Sequence, residues 1–325
     1  MKAIVIVEPG GPEKLELREV AAPALRDGCV LVDVKATALN RADLLQRRGF
    51  YPPPKGETDI LGLECAGVVA ELGAGVSSVA PGDRVMALLP GGGYAERVLV
   101  PEKMLIPIPA NLSFEQAAAV PEAFLVAREA LFTLGRMRAN DVVLIHASAG
   151  GVGSVAVQLA KQAGARIVAT AGSDDKLAWV AALGADVVVN YKSGDFVDAV
   201  KKLSDGKGAD VVLDFVGAAY WQKHASCLSI GGRVISIGVL GGASAEVNFA
   251  QLMSRRYQLL GLVTRSRDVS EKIVITQAFI RETLPLIASG AVKPLIDSVF
   301  PLADAVKAHE RMEANLNLGK IVLSV

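Results

Sequence analysis

Cysteine, histidine and aromatic residues are the scarce components of this 325-residue chain, which holds three cysteines, three histidines and 5% Phe, Trp and Tyr. Cys29, Cys65 and Cys227 are odd in number and far apart. They offer neither a disulfide framework nor the paired spacing of a zinc site, and a reducing, cytoplasmic setting is expected. Excess charge is also missing: 34 Lys+Arg and 34 Asp+Glu cancel to a formal net charge of +0. That balance, without an aromatic-basic cluster, argues against a nucleic-acid surface. Although 51% of the residues are hydrophobic, no uninterrupted apolar run nears the ~20 residues that cross a bilayer. Met1–Val7 is too short for a secretory signal, so no membrane partner is expected.

The length implies two domains. Up to about Val100 the apolar runs are short and broken by Gly and Pro (Ala3–Val7, Val30–Ala36, Gly67–Leu72, Arg84–Leu88 and Ala95–Val100). They read as an irregular, mostly antiparallel β domain. From about Asn140 the rhythm becomes strand, helix, strand. The strand-like Val142–Ile145 is followed by Ile167–Ala171, Asp186–Val189, Val211–Phe215, Arg233–Ile237 and Leu259–Val263, separated mainly by helical patterns. Six such strands predict a doubly wound parallel sheet. The segment from about Ser270 holds two helical patterns and a last strand, Lys320–Val325. It does not extend the alternation and is expected to return to the first domain.

The most informative stretch is Val142 to Ser154, where an apolar run breaks into Gly150, Gly151 and Gly153 and then into an amphipathic helix closed by Gly164. It reads as a dinucleotide turn. Gly150 would admit a pyrophosphate close to the backbone, Gly153 would let helix and strand pack closely, and the helix N-terminus would face the anion. Ser148 stands where the usual pattern has its first glycine. NAD enzymes usually end the second strand in an acid that binds the ribose, whereas here Thr170-Ala171 leads into Gly172, Ser173, Asp174, Asp175 and Lys176, with Tyr191 and Lys192 after the third strand. A hydroxyl and an ammonium suit the 2′-phosphate of NADPH. The competing reading makes Ser173 and Asp174 helix caps and Lys176 a solvated charge, with Asp174 free to bind the ribose of NAD. The missing strand-end acid favours NADPH.

Several motifs, matched in order from end to end, resemble the zinc-free quinone oxidoreductase branch of the medium-chain dehydrogenase/reductase superfamily. They are Asn40-Arg41-Ala42-Asp43, Leu61-Gly62-Leu63-Glu64-Cys65-Ala66-Gly67, Pro81-Gly82-Asp83-Arg84-Val85 and the Ala147–Gly153 turn. Leu88–Gly93, Arg265–Asp268 and Met312–Asn315 look most like the subgroup that includes a tumour-suppressor-inducible NADPH:quinone reductase and its bacterial relatives. The resemblance implies a Rossmann doubly wound parallel sheet at 124–263, and a GroES-like, mainly antiparallel β catalytic domain at 1–123 to which 264–325 returns. The site would lie in a cleft between them. A homodimer would form through the Rossmann edge strand Leu259–Val263.

Zinc-dependent members of the superfamily carry Cys where this chain has Asn40, His where it has Leu63, and a four-cysteine lobe after the position of Val85. No zinc is therefore expected. Glu64 survives, and reads as a buried structural carboxylate paired with Arg41 or Arg84. The resemblance puts Asn40 beside nicotinamide and substrate, as a possible donor to the acceptor oxygen, and Tyr51 in a loop folded over the site, where its ring would stack on a quinone and its hydroxyl orient or protonate it. The plain alternatives are an Asn holding a turn and a Tyr packed on prolines. The expected cofactor set is Ala147, Ser148, Gly150, Gly151, Val152, Gly153, Ser173, Lys176, Tyr191, Gly217, Gly238 and Asn315. Val126 stands where relatives have a threonine near the ribose. His146 reads as a core or supporting histidine, and His224 and His309, among polar neighbours, as surface residues.

Without a metal to polarise a carbonyl, hydride would go from NADPH to an acceptor that is already electrophilic, a quinone or another conjugated carbonyl compound. Reduction of an enone or enoyl-thioester double bond is the nearest alternative. A nucleotide-regulated crystallin-like or RNA-binding protein is an alternative of another class.

Overall fold

The early strands form on short apolar runs, and several are buried on both faces, as at Val30–Val32 and Val85–Leu88, while Arg97–Pro101 alternates between a buried and a half-buried face. The computed structural model describes all residues, Met1–Val325. The first strands are Lys2–Ile6 (β1), Leu15–Glu19 (β2), Cys29–Ala38 (β3), Glu64–Leu72 (β4), Arg84–Leu88 (β5), Arg97–Pro101 (β6) and Leu105–Pro107 (β7). Then come Val142–Ile145 (β8), Arg166–Ala171 (β9), Val187–Asn190 (β10), Ala209–Asp214 (β11), Leu228–Ser236 (β12) and Gln258–Gly261 (β13), and finally Ile296–Pro301 (β14) and Lys320–Ser324 (β15). The chain divides into two units, Met1–Leu125 with Thr264–Val325, and Val126–Val263. No helix is long and apolar enough to cross a membrane.

In the first unit a seven-stranded sheet runs β14-β15-β3-β4-β5-β7, with β6 also on β3. All its pairings are antiparallel except β14 with β15. The final strand lies against β3, Val322 opposite Ala38 and Leu323 opposite Thr37. Because β15, β3 and β4 are neighbours, Lys320 at the start of β15, Asn40 just beyond β3 and Glu64 at the start of β4 fall at one end of the sheet. Ile4, Leu39, Leu44, Leu61, Tyr94, Met312 and Ile321 form a core beside them, each such burial contributing about 1.5–3 kcal/mol. β14 does not figure among the expected elements. Its residues are half-buried or exposed and it ends in Pro301, so it lacks the apolar run that marks an interior strand.

The second unit is the expected parallel sheet, in the order β10-β9-β8-β11-β12-β13. The order reverses direction between β8 and β11, the switch point at which such sheets hold ligands beyond their carboxyl ends. β12 begins five residues ahead of the expected Arg233, because Leu228 already pairs with Ala209 before the chain kinks at Gly231, φ +77°. Leu144, Val168, Phe196, Val212, Leu228 and Val234 pack between sheet and helices.

Candidate functional site

The turn after β8 is shaped by its backbone. Ala147 takes a left-handed φ of 46°, turning the chain out of the strand, and the helix Gly151–Gln162 starts from Gly150 as an extended N-cap without a side-chain cap. A Cβ on Gly153 would lie 2.4 Å from the Ala147 carbonyl oxygen and 2.7 Å from Ser148 Cα, both backbone atoms that cannot yield, whereas one on Gly150 would meet only the Ala147 oxygen, at 3.3 Å. Gly153 is therefore the contact glycine, and Gly150 leaves an open approach to the first amides of the helix, which lack intrahelical acceptors. Ser148 is fully buried, and its hydroxyl and its amide both donate to the Thr170 carbonyl, at 2.9 and 3.1 Å. Its side chain braces the turn against β9 instead of offering a donor.

Beyond β9, Ser173 occupies the N-cap of the helix Asp174–Ala182 but makes no side-chain capping hydrogen bond. Asp174 Oδ1 instead accepts from Asn190 Nδ2 at 3.0 Å. Lys176 is half-buried in the first turn of that helix. Tyr191 follows β10, and its phenol packs on the chain at Gly172, where a Cβ would stand 2.5 Å from Oη. Gly217 has φ +80° and donates its amide to the Asp214 carboxylate at 3.0 Å, while the Gly238 amide reaches the Asp214 carbonyl at 3.3 Å. All these residues follow the carboxyl ends of β8 to β12, on one edge of the parallel sheet. Asn315 belongs to the first unit, in a left-handed turn (φ 55°) where its side-chain oxygen accepts from Arg41.

In the first unit, Lys320 Nζ donates to the Leu39 carbonyl (2.7 Å), Asn40 Oδ1 (2.6 Å) and Glu64 Oε1 (2.7 Å), which uses all three of its protons. Glu64 is thus a buried structural carboxylate, but its cation is Lys320 and neither Arg41 nor Arg84. Arg84 donates to the Leu112 carbonyl at 2.6 Å and lies over the Phe114 ring. Asn40 Nδ2 donates to Glu64 Oε1 at 2.9 Å and to the Ala38 carbonyl at 3.3 Å, so only the longer contact is readily exchanged for an outside acceptor. Glu64 Oε2 accepts the Glu122 amide at 2.8 Å, and Glu122 Oε2 is itself buried without a partner. Burial, then the Glu64 charge, pushes the Glu122 carboxyl up to about 8, so it carries a proton at neutral pH.

Tyr51 is held from behind. Arg265 donates to the carbonyls of Pro90 (2.7 Å) and Tyr51 (3.1 Å) and to Gln46 Oε1 (2.8 Å), with its guanidinium carbon 5.1 Å from the Tyr51 ring centre. Burial, followed by the Glu122 charge, raises the Tyr51 phenol, so it too stays protonated. A deeper chain runs from Arg47, which donates to His309 Nδ1 at 3.0 Å, leaving Nε2 as the protonated nitrogen facing Tyr94 Oη at 3.2 Å, with Asp43 Oδ2 3.4 Å beyond. Burial pushes Asp43 up to about 6 and His309 down to about 3.

His224 and His309 are fully buried, not on the surface. Each sits in a helix whose polar neighbours disguise one inward face, and each finds polar partners inside. Arg47, Arg265, Lys320 and Glu122 carry no periodic or spacing signal, and their partners lie far off in the sequence. Only Arg265, within a motif already noted, was within reach of sequence reasoning.

Two family models match the chain, an alcohol dehydrogenase GroES-like domain at residues 26–110 and a zinc-binding dehydrogenase at residues 151–278. The quinone oxidoreductase of Rattus norvegicus is 34% identical over 326 residues, spanning 99% of this chain and 97% of that one. The crystal structure of Escherichia coli quinone oxidoreductase complexed with NADPH has a TM-score of 0.89 at 32% identity, covering 100% of both chains. A structure described as an NAD-dependent alcohol dehydrogenase gives 0.86 at 36% identity, again over 100% of both. No three His, Cys, Asp or Glu side chains meet in a group that could hold a metal ion.

Proposed function

We propose, from the premise that the chain belongs to the quinone oxidoreductase family of the medium-chain dehydrogenase/reductase superfamily, that it is an NADPH-dependent, zinc-independent reductase of quinones and related conjugated carbonyl compounds. The turn Ala147–Gly153 carries the reading, because a Cβ at Gly153 would fill the space that lets the helix end approach its strand. That close packing would set the first amides of the helix, open to approach at Gly150, where a pyrophosphate would sit. Ala147 to Gly153, Gly217 and Gly238 would hold the nucleotide, with the Ser173 hydroxyl, Lys176, Tyr191 and Asn315 toward its adenosine phosphate. Bound NADPH would supply a hydride to an acceptor electrophilic enough to need no Lewis acid.

The residues do not fit a catalytic zinc. Asn40 and Leu63 are not zinc donors, and the Lys320 ammonium already fills the space between Asn40 Oδ1 and Glu64 Oε1 with a cation. In the reaction Asn40 would orient the acceptor oxygen, exchanging its Ala38 contact for it, and the protonated Tyr51 phenol, fixed by Arg265, would stack on the acceptor and donate to it. A second copy of the chain would pair along β13, the outer strand of the sheet, where Leu259 is 53% exposed.

Steady-state rates with NADPH and NADH against 1,2-naphthoquinone, 1,4-benzoquinone and crotonyl-CoA, on protein assayed for metal, test the proposal. Quinone turnover with NADPH in metal-free protein supports it. Turnover of the thioester alone moves it to the double-bond alternative, and activity that disappears when a stoichiometric metal is removed overturns it.

A further inference from the structure

Behind the glycine turn lies a chain of polar groups that the proposed reaction does not use. His146 follows β8 directly, with Nδ1 2.9 Å from Thr170 Oγ1 on β9 and Nε2 2.9 Å from His224 Nε2 on the helix Trp221–Cys227. Both rings are fully buried, and His146 packs against Phe196 and Tyr220 at centroid distances of 4.8 and 4.9 Å. The second nitrogen of His224, Nδ1, has no hydrogen-bond partner and stands 4.0 Å from Asp214 Oδ2. Asp214 ends β11 and accepts the amides of Val216 (2.8 Å) and Gly217 (3.0 Å). The Thr170 carbonyl accepts the amide and hydroxyl of Ser148. One path of polar contacts thus joins the turn after β8, the end of β9 and the loop after β11.

Burial lowers the basicity of both histidines, His146 well below the usual range and His224 to about 4. Two neutral rings 2.9 Å apart share a single proton, and two arrangements are available. If His224 donates, its Nδ1 turns a bare lone pair toward the Asp214 carboxylate in a site of low dielectric. If His146 donates, His224 Nδ1–H faces the carboxylate, the Thr170 hydroxyl donates to His146 Nδ1, and the successive dipoles add in one direction. Only the second arrangement leaves no lone pair opposed to a charge.

We propose that His146 is fixed as the Nε2–H tautomer and His224 as the Nδ1–H tautomer, and that the pair are positioning residues which hold the Ala147–Gly153 turn in register with the Val216–Gly217 loop for nucleotide binding. The inference rests on the nucleotide reading of that turn. Neither histidine touches the nucleotide in this scheme. They act through Ser148, by way of Thr170, and through Asp214.

Nitrogen-15 NMR of histidine-labelled full-length protein at pH 7 reads the tautomers directly, and NADPH titration by fluorescence reads the coupling. The expected result is a protonated Nε2 on His146 and a protonated Nδ1 on His224. With it, His224→Phe, which keeps a ring and loses both nitrogens, should bind NADPH at least tenfold more weakly. His224→Gln, which keeps an amide near the His146 contact, should fall in between. The opposite pair of tautomers overturns the proposal, as does wild-type NADPH affinity in a folded His224→Phe or, should that variant not fold, in His224→Gln. A wild-type protein with the expected tautomers and no affinity for NADPH would refute the nucleotide reading instead, so the two failures are distinguishable.

Discussion

Lys320 Nζ and Glu64 Oε1 lie 2.7 Å apart, with side-chain exposures of 5% and 0%, in a salt bridge that ties the last strand of the chain to the fourth. The pair matters less for its attraction than for what either partner becomes alone, since a buried charge without compensation is costly. Lys320→Met should therefore destabilise the protein by about 3–5 kcal/mol, read from urea unfolding. Lys320→Met combined with Glu64→Gln should recover more than half of that loss, and strict additivity of the two would contradict the pairing.

Glu122 makes stability depend on pH in a definite direction. Its folded value of about 8 lies above the ordinary 4.5, so its contribution is fully present below pH 4.5 and is lost as pH rises through 8. Glu122→Gln removes that slope. The stability of the variant relative to wild type should grow between those limits by on the order of 5 kcal/mol and level off above them. Melting temperatures from pH 4 to 9 that run parallel for the two proteins would refute it.

Gly150 and Gly153 should respond differently to the same added methyl. Gly153→Ala must displace backbone at 2.4 and 2.7 Å, which should cost about 1–3 kcal/mol together with at least tenfold in NADPH affinity. Gly150→Ala meets one atom at 3.3 Å from an allowed φ of −82°. It should keep its stability within about 0.5 kcal/mol and lose nucleotide affinity alone. Calorimetric titration beside thermal melts separates the two.

For Lys176→Ala, NADPH should bind about tenfold more weakly while NADH changes less than twofold, because one charged hydrogen bond to a phosphate contributes ~1.5–3 kcal/mol. Equal losses for both cofactors would remove Lys176 from the phosphate.

Tyr51→Phe tests the phenol without disturbing the ring that lies against Arg265. Quinone turnover should fall by about one to two orders of magnitude, the usual scale for losing a positioned proton donor, with NADPH affinity unaffected. An unchanged kcat would leave Tyr51 a packing role only.

How much of this could be read along the chain depended on how local each signal is. The parallel strands of the second unit are continuous apolar runs punctuated by glycine, so their number and places followed from periodicity. The turn at Ala147–Gly153 was recognisable because strand, glycines and helix are consecutive. β14 and the early start of β12 were not, since an edge strand and a kinked strand lack the pattern of a buried one. Glu64 was identified as a structural carboxylate without its true partner, which stands 256 residues away.

Residue order alone thus indicated the class of the fold and the place of the glycine turn after β8, because helices, strands and tight turns are imposed by neighbours within a few positions. The pairing of buried charges, the inward facing of His224 and His309, and the bracing of Tyr51 by Arg265 came only from the folded chain. Those contacts join segments that adjoin once sheets and helices have packed, and the low dielectric that governs their protons exists only there.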